Sequence, residues 1–326
     1  MNAFRDGRSD RNLAVRLACA AGLVIAVAAP AFARELPFGV EHRLASNVRA
    51  AKSVAIGDID GDGSPDLVGS GDLIGRVGLV WYQSSGDLPP RFTARSISNS
   101  STLNAFDPTE IILIDVDDDD DLDVVTSSTG NGFRGGLEIY RNNGALPTPG
   151  WSVTRVQNSG FIHNGLDVVD MDDDGDLDLV TCFVNGPAYV AWYRNNDGAA
   201  TSFTPQIVGT VDNCQGLEVA DVDGDGTLDV AAVGLDLDEV VYFANVGTLT
   251  DPDWERRVLA EDPDGVPTDP ETPCGESGAE GVLNGPSSVR TGDLDGDGEV
   301  DLAVASRCDD RVSWFESDGL TPPAFT

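Results

Sequence analysis

The stretch DVDGDGTLDV, at residues 221–230, shows most clearly a pattern that recurs along this chain. Aspartates stand at its positions 1, 3, 5 and 9, and short apolar runs precede and follow it. Oxygen-bearing side chains at alternate positions of a tight loop suit a hard cation such as Ca²⁺, with the backbone carbonyl of position 7 as a further ligand. Gly226, at position 6, permits the sharp turn. The stretch therefore predicts a strand–loop–strand unit built around a cation.

The same pattern occurs five times along the chain. The copies are DIDGDGSPDL (58–67), DVDDDDDLDV (115–124), DMDDDGDLDL (170–179), DVDGDGTLDV (221–230) and DLDGDGEVDL (293–302). An EF-hand would need a glutamate at position 12 and flanking helices. Position 12 holds no glutamate in any copy; its residues are Gly69, Thr126, Thr181, Ala232 and Val304. The flanks have the length and composition of β-strands, so we interpret each copy as a hairpin loop.

Each repeat predicts four short strands. An aromatic-centred strand follows every loop (LVWYQ, LEIYR, VAWYR, VVYFA and VSWFE), and four of these are followed by another strand that opens with an aromatic residue. Four-stranded units of this period, without helical periodicity, predict an all-β fold, a β-propeller of five four-stranded blades. The fifth repeat stops at Phe325, where its fourth strand would begin, and an extra strand begins at Phe38. We expect this N-terminal strand to pair with the last blade and close the ring.

The N-terminus has the features of a signal peptide, residues 1–33. Four arginines precede the apolar run LACAAGLVIAVAAP (17–30), and Ala31-Phe32-Ala33 provides a cleavage site. The apolar run is shorter than the roughly 20 residues of a membrane span. We expect residues 34–326 to be secreted or periplasmic and to form a single propeller domain, with a surface insertion at about 251–286.

Composition limits the partners. The formal net charge of −36 argues against nucleic acid and anionic membranes as partners, because both would be repelled. A hydrophobic content of 40% argues against disorder over the whole length. We expect no membrane insertion and a monomer.

The motif D-x-D-x-D-G-x-x-D followed by an apolar pair resembles the FG-GAP/VCBS-type repeats of integrin α-subunit head domains and of many exported bacterial proteins, and the resemblance covers residues 38–326. It implies a β-propeller with about five Ca²⁺ ions, one in each hairpin between a first and a second strand. Family members commonly have seven blades, whereas this chain has five copies. The implied side-chain ligands are Asp58, Asp60, Asp62 and Asp66; Asp115, Asp117, Asp119 and Asp123; Asp170, Asp172, Asp174 and Asp178; Asp221, Asp223, Asp225 and Asp229; and Asp293, Asp295, Asp297 and Asp301. The implied carbonyl ligands belong to Ser64, Asp121, Asp176, Thr227 and Glu299.

Four cysteines follow the predicted cleavage site: Cys182, Cys214, Cys274 and Cys308. An even number in an exported chain is compatible with two disulfides. Because the members of each pair fall on the blade face opposite the acidic loops, we expect the pairs Cys182–Cys214 and Cys274–Cys308. Buried free thiols are the alternative.

A ligand site is predicted where the first strands begin. Asp167, Glu218 and Arg290 share the register three residues before their loops, and His163 and Gln215 stand near the starts of two first strands. These five residues are candidates for ligand binding at the central mouth, and a charge cluster that satisfies itself is the alternative. No G-x-S-x-G or H-E-x-x-H motif occurs, so no catalytic residue is assigned.

Two function classes follow from these residues. The first is a non-enzymatic binding or adhesion module for a glycan or protein ligand. The second is a polysaccharide-acting enzyme, a lyase or hydrolase, whose carboxylate pair would be Asp167 and Glu218.

Overall fold

A computed structural model gives the structure of the chain. It describes residues 44, 48–49, 51–73, 77–97, 107–129, 136–145, 147–157, 163–183, 189–248, 252–261, 283–319 and 325. Leu44–Thr326 forms one compact unit. The predicted signal peptide, residues 1–33, lies outside the described residues, as do Phe38, where the predicted N-terminal strand begins, and Cys274.

The described residues form twenty β-strands and no helix. The all-β prediction is therefore confirmed, and the described part of the chain offers no helix that is long and apolar enough to cross a membrane. The strands are β1 (Val48–Arg49), β2 (Val54–Gly57), β3 (Asp66–Leu73), β4 (Val77–Ser84), β5 (Phe92–Ser96), β6 (Asp107–Ile114), β7 (Asp123–Thr129), β8 (Gly136–Asn142), β9 (Trp151–Gln157), β10 (His163–Val169), β11 (Asp178–Phe183), β12 (Val190–Asn195), β13 (Phe203–Gly209), β14 (Cys214–Ala220), β15 (Asp229–Gly234), β16 (Glu239–Asn245), β17 (Trp254–Ala260), β18 (Pro286–Gly292), β19 (Asp301–Ser306) and β20 (Arg311–Phe315).

The strands form five antiparallel sheets, one for each copy of the acidic loop. Sheet 1 contains β1–β5, sheet 2 β6–β9, sheet 3 β10–β13, sheet 4 β14–β17 and sheet 5 β18–β20. Sheets 2, 3 and 4 have the four strands that the sequence predicts, and each strand pairs with the next along the chain. In every sheet we call the strand before the acidic loop the first strand (β2, β6, β10, β14 and β18) and number the others from it.

Sheets 1 and 5 depart from four strands. In sheet 1, the short β1 pairs with the end of β3 and adds a fifth strand. Sheet 5 has three strands, but Phe325 forms a bridge with Ser317. The equivalent pair in sheet 1 is Ser84 with Phe92, the first pair of its fourth strand. Phe325 thus takes the place where a fourth strand of sheet 5 would begin.

The core lies between successive sheets. Strand alternation turns one face of each sheet towards the preceding sheet and the other towards the next. Four apolar clusters result, and each joins the aromatic third strand of one sheet to the first strand of the next. The representative pairs are Trp81 with Ile111, Ile139 with Leu166, Trp192 with Leu217, and Tyr242 with Val289. Each of these side chains is 6% exposed or less, and burying one such side chain contributes about 1.5–3 kcal/mol. No such cluster joins sheet 5 to sheet 1 among the described residues.

Part of the range given as a surface insertion, 251–286, is the aromatic-led fourth strand that the repeat predicts for sheet 4. Trp254–Ala260 forms β17, which pairs with β16 as the fourth strand of sheet 4. Trp254 packs against one apolar cluster, and Leu259 and Ala260 pack against the next, so this packing holds the segment in the sheet despite the acidic, proline-rich sequence that follows. Residues 262–282, which carry most of that sequence, lie outside the described part of the chain.

Candidate functional site

Each acidic loop gathers three carboxylates. The five loops connect first to second strands, and in each of them three aspartates offer one oxygen apiece, all within 4.8 Å of one another. We number the loops 1 to 5 in chain order. Positions 1, 3 and 5 form the group in loops 1, 3, 4 and 5, whereas in loop 2 position 9 takes the place of position 5. The groups are Asp58, Asp60 and Asp62; Asp115, Asp117 and Asp123; Asp170, Asp172 and Asp174; Asp221, Asp223 and Asp225; and Asp293, Asp295 and Asp297.

Backbone hydrogen bonds give the loops their shape. In loop 3, Asp170 accepts hydrogen bonds from the backbone N–H groups of Asp174 at 3.1 Å and Gly175 at 2.9 Å. The bond from position 6 to position 1 recurs in all five loops. The carboxylate of position 5 accepts the N–H of position 7 in all five as well. The loop backbone thus holds the carboxylates in place despite their mutual repulsion.

Position 9 connects the loop to the third strand. Asp178 is fully buried, and its carboxylate accepts hydrogen bonds from Met171 N at 3.2 Å, Trp192 Nε1 at 2.9 Å and Asn195 N at 2.7 Å. Asp66, Asp123, Asp229 and Asp301 accept the equivalent two backbone bonds. Burial raises the pKa of Asp178 to about 7, while the bonds from Asn195 and Trp192 oppose the shift. Burial likewise raises the pKa of Asp123 and of Asp229 to about 7.

The sequence carries a signal for this second role of position 9. The residue that donates its backbone N–H from the third strand is serine or asparagine in every repeat. These residues are Ser84, Asn142, Asn195, Asn245 and Ser317. Each of them stands three residues after the central residue of the aromatic-centred stretch in its third strand. Those central residues are Trp81, Ile139, Trp192, Tyr242 and Trp314, so the sequence shows this common register.

Unpaired carboxylate oxygens test whether a cation fits the loops. Within the described residues, Oδ1 of Asp60, Asp117, Asp172 and Asp221 is buried and accepts no hydrogen bond. A buried carboxylate oxygen without a partner is costly. Ca²⁺ binds six to eight oxygens of this kind, including carboxylates. The residues present therefore fit Ca²⁺, and the ligand roles of all loop positions stay predictions.

Two loops have an arginine beside their carboxylates. In loop 3, Arg194 Nε lies 2.7 Å from Asp172 Oδ2, and its Nη2 lies 3.1 Å from Asp174 Oδ2. In loop 2, Arg141 Nη1 lies 3.9 Å from Asp117 Oδ2. Each arginine offsets part of the negative charge from the outer side of the loop, and the Oδ1 atoms named above keep no partner.

The first strands bring a second group of charges together, which we call the first-strand cluster: Glu110, Asp167, Glu218 and Arg290. Arg290 Nη1 lies 3.2 Å from Glu218 Oε2. Glu110 lies close enough to the other three for their charges to act on its pKa. Burial is the main cause that raises the pKa of Glu110 to about 7, and the charge of Arg290 opposes it.

Three side chains of the cluster, and Ser53 just before β2, connect successive sheets. In four cases, a side chain on or just before one first strand accepts a hydrogen bond from a backbone N–H of the next first strand. The pairs are Ser53 with Ile111 at 3.2 Å, Glu110 with Leu166, Asp167 with Val219 at 3.1 Å, and Glu218 with Thr291. Gly165 lies in the same region, where an added Cβ would be 2.9 Å from Leu217 N, and its φ is +66°. These bonds give the cluster a structural role, while Arg290, with 61% of its side chain exposed, stays open to solvent.

The other two candidate ligand residues lie apart from the cluster contacts. His163 is fully buried, with its ring centroid 4.4 Å from that of Phe183, and burial lowers its pKa to about 4. Gln215 Nε2 donates to the carbonyl oxygen of Asn213 at 3.0 Å and to its Oδ1 at 2.9 Å. The structure thus groups Asp167, Glu218 and Arg290 as their register predicted. Glu110 joins this group although the shared register does not select it, because it stands five residues before its loop rather than three.

A disulfide joins Cys182 of β11 to Cys214 at the start of β14, with the two Cα atoms 5.9 Å apart. The prediction for this pair is confirmed, and the bond connects sheets 3 and 4. Closing a segment of 32 residues stabilises a fold by roughly 3–4 kcal/mol if loop entropy dominates. Cys308 is disulfide-bonded as well. Since Cys274 lies outside the described residues, its pairing with Cys308 stays a prediction.

Of the comparisons with known proteins, a family model matches two of the acidic loops. Curated proteins give no significant match to this chain. Among solved structures, the chain is similar to the biofilm matrix protein Bap1 of V. cholerae, with a TM-score of 0.44 and 14% sequence identity over 85% of this chain. The chain spans 39% of the Bap1 chain. Residues 170–232 match the family model of the FG-GAP-like repeat, and this range contains loops 3 and 4. The chain therefore carries FG-GAP-like repeat sequence at residues 170–232.

Proposed function

We propose that this protein is an exported adhesion module in which calcium-binding loops stabilise five β-propeller blades. The observation that carries the proposal is that every sheet has a loop with three aspartate oxygens within 4.8 Å of one another. The FG-GAP-like match over two of these loops supports it. The disulfide between Cys182 and Cys214 supports export, because disulfides persist mainly in oxidising compartments.

The packing of the sheets supports the propeller architecture. Successive sheets pack face to face through four apolar clusters, and their first strands are neighbours in chain order. Four-stranded antiparallel sheets that succeed one another around an axis are blades of a propeller. Closure by the strand that begins at Phe38 involves residues outside the described ones and stays a prediction.

Calcium in this proposal has a structural role. The three aspartates grouped in each loop would hold the ions, and bound Ca²⁺ would supply the positive charge that these carboxylates lack. Five ions would offset ten of the 36 net negative charges, since each ion carries two. The position-9 aspartates keep each loop attached to its third strand. This arrangement stabilises hairpins and leaves the opposite ends of the first strands for recognition.

The ligand surface that we propose contains the first-strand cluster. Arg290 offers exposed donors, and Glu218, with 27% of its side chain exposed, offers an acceptor beside them. Charged groups of both signs at hydrogen-bonding distance suit hydroxyl-rich glycans or polar peptide segments. The predicted ligand is therefore a glycan or a protein, and the first-strand cluster is the part of the surface that would contact it.

The first experiment measures calcium binding. Isothermal titration of residues 34–326 with CaCl₂ should give about five ions per chain, and Asp172→Asn should remove one of them. Asp253→Asn, a change at a partly exposed aspartate outside the loops, is the control and should leave the count unchanged. A chain that binds no calcium would contradict the proposal.

The second experiment screens for the ligand. The calcium-loaded protein is applied to immobilised glycans and extracellular matrix proteins, and again in the presence of a chelator. We expect a ligand whose binding is weakened by Glu218→Gln and Arg290→Ala but not by Arg91→Ala, which changes an arginine with 83% of its side chain exposed. Binding that none of these variants changes would move the ligand surface elsewhere. Shortening of a glycan during the screen would indicate a polysaccharide-acting enzyme instead.

A further inference from the structure

The two ends of the sheet array expose apolar side chains. Val54 and Ile56 on β2 form what we call the sheet-1 end face, and Val312 and Trp314 on β20 form the sheet-5 end face. Ile56 is 69% exposed and Trp314 is 45% exposed. Large apolar side chains that cluster on a surface commonly mark an interaction site.

The equivalent residues of the inner sheets are buried. Val54 and Ile56 stand four and two residues before loop 1, as Leu217 and Val219 stand before loop 4. Leu217 and Val219 are 4% and 5% exposed, because they pack against sheet 3. Trp314 is the central residue of the aromatic-centred stretch in the third strand of sheet 5. The residues at the same position of other third strands are at most 1% exposed and contact the next sheet. These residues are Trp81, Trp192 and Tyr242.

The inner interfaces indicate what would cover the end faces. In them, the first strand of one sheet packs against the second strand of the sheet before it: β10 against β7, β14 against β11 and β18 against β15. In sheet 1, the exposed apolar residues are those of the first strand. Val80 and Tyr82 of β4 lie on the same side of the sheet as Val54 and Ile56, but they are buried. The partner that β2 lacks is therefore a surface with the composition of the sheet-5 end face.

The chain does not pair its own end faces in this structure. Ile56 and Trp314 are exposed at the same time, and no apolar cluster connects sheets 5 and 1 among the described residues. The place of a fourth strand in sheet 5, which the N-terminal strand was expected to fill, is taken at its first position by Phe325. The first strand of sheet 1 and the third strand of sheet 5 thus expose apolar side chains at the end faces of this structure.

We propose that the sheet-5 end face of one copy of this chain packs against the sheet-1 end face of a second copy. The interface would repeat the packing found between the inner sheets, with Trp314 of one copy covered by β2 of the next. Because the two faces differ, the contact is head-to-tail and can continue into a ring or a filament. The proposal is an alternative to the monomer expected from the sequence, and it depends on neither calcium nor a ligand.

Blocking one face at a time tests the proposal. Ile56→Asp and Val312→Asp each place a carboxylate in one end face, and sedimentation velocity over a range of concentrations measures association. We expect the wild type to form species larger than a dimer and each variant alone to associate at least about tenfold more weakly. An equimolar mixture of the two variants should form a one-to-one dimer, since each retains the face that the other lacks. Ile207→Asp, at an isoleucine of β13 that is 66% exposed and lies away from both end faces, is the matched control and should behave as the wild type.

Other results would overturn the proposal. A wild type that stays monomeric at every concentration would exclude the interface, and iodide quenching of tryptophan fluorescence would then tell closure within one chain (Trp314 protected) from open ends (Trp314 accessible). Association that only one variant abolishes, or that mixing does not restore, would indicate a face that pairs with itself. If either aspartate variant fails to fold, as judged by circular dichroism, the milder Val54→Ser and Val312→Ser replace it in the same mixing scheme.

Discussion

Loop 2 has aspartate at both position 4 and position 6, whereas loop 3 shares only the aspartate at position 4, Asp173, and has Gly175 at position 6. Asp118 and Asp120 have φ angles of 57° and 70°, whereas the equivalent residues of loops 1, 4 and 5 are glycines with positive φ. A residue with a Cβ in this conformation costs about 1 kcal/mol relative to glycine, although aspartate and asparagine tolerate it better than most. Loop 2 is thus the loop with the most backbone strain.

Substitution of Asp120 should change stability in a fixed order. We expect Asp120→Gly to raise the free energy of unfolding by about 0.5–1 kcal/mol, and Asp120→Val to lower it by at least as much. Asp120→Asn removes the charge but keeps the Cβ, so comparison with Asp120→Gly isolates the backbone effect. Urea unfolding in excess calcium measures all three. A glycine variant less stable than the asparagine variant would contradict the assignment of strain to this residue.

Glu110 should make stability depend on pH. Its folded pKa of about 7 lies above the ordinary value of 4.5, so the folded state retains a proton that the unfolded state has released. Stability therefore falls as the pH rises from about 4.5 to about 7, and stays low above that. Glu110→Gln keeps the acceptor for Leu166 N without the buried charge, and should be more stable than the wild type at pH 8 by about 1 kcal/mol.

The measurement is urea unfolding from pH 5 to pH 8 in excess calcium. The advantage of Glu110→Gln should shrink towards pH 5, where Glu110 of the folded wild type is already protonated. Glu255→Gln is the control, because the Glu255 side chain is 58% exposed. Equal slopes of stability against pH for the wild type and Glu110→Gln would contradict the raised pKa.

At the scale of the element, position 9 of the loop should matter for the fold even without calcium. Three N–H groups donate hydrogen bonds to the Asp178 carboxylate. Asp178→Asn replaces one acceptor oxygen with an NH₂ group, so at least one of these donors would face another donor. Leaving buried polar groups unmatched costs about 1–3 kcal/mol, and more when a charged group is involved. We expect Asp178→Asn to lower the free energy of unfolding by about 2–4 kcal/mol in the presence of a chelator.

Asp174→Asn is the matched control for this prediction. Asp174 stands at position 5 of the same loop and is more exposed than Asp178, so its substitution should weaken calcium binding but change the stability of the calcium-free chain by less than about 1 kcal/mol. Urea unfolding with and without chelator separates the two effects. Similar losses for both variants in chelator would show that position 9 has no special role in the fold.

The strands and loops could be predicted because their signals are local. Aspartate at alternate positions followed by an apolar pair marks each hairpin, and the aromatic markers fix the register of the third strands. The connection from Asp178 to Asn195 could not be assigned from the same pattern, since the two residues meet only after the third strand folds back. Glu110 was left out of the predicted cluster for a related reason. Positions three and five before the loop lie on the same face of the strand. The shared register selects only the position three before the loop, whereas Glu110 stands five before it.

At the scale of the whole molecule, the relation between first and last sheets was the least predictable feature. Apolar residues four and two positions before the loop occur in sheet 1 as in sheet 4. The repeat therefore predicts that a preceding sheet covers them, and the pattern cannot tell which chain provides that sheet. In this structure Ile56 and Trp314 are exposed, so no sheet of the described chain covers them. A repeat sequence specifies the contact between neighbouring sheets. Whether the first and last sheets also meet depends on the complete array of repeats.

Calcium removal should destabilise the whole molecule. Without bound ions, every loop holds at least three carboxylates within 4.8 Å, in a chain of net charge −36. A ligand at 100 times its Kd stabilises the folded state by about 2.7 kcal/mol per site, so the five loops together contribute well beyond the effect of any single substitution. We expect excess chelator to lower Tm by at least about 10 °C. High NaCl in the presence of chelator should restore part of the loss by screening the repulsion. Asp172→Asn, which disables one loop, should show a smaller shift than the wild type on chelation. A Tm that chelator leaves unchanged would mean that the hydrogen bonds within the loops are sufficient, and that the aspartate groups do not bind calcium in the folded protein.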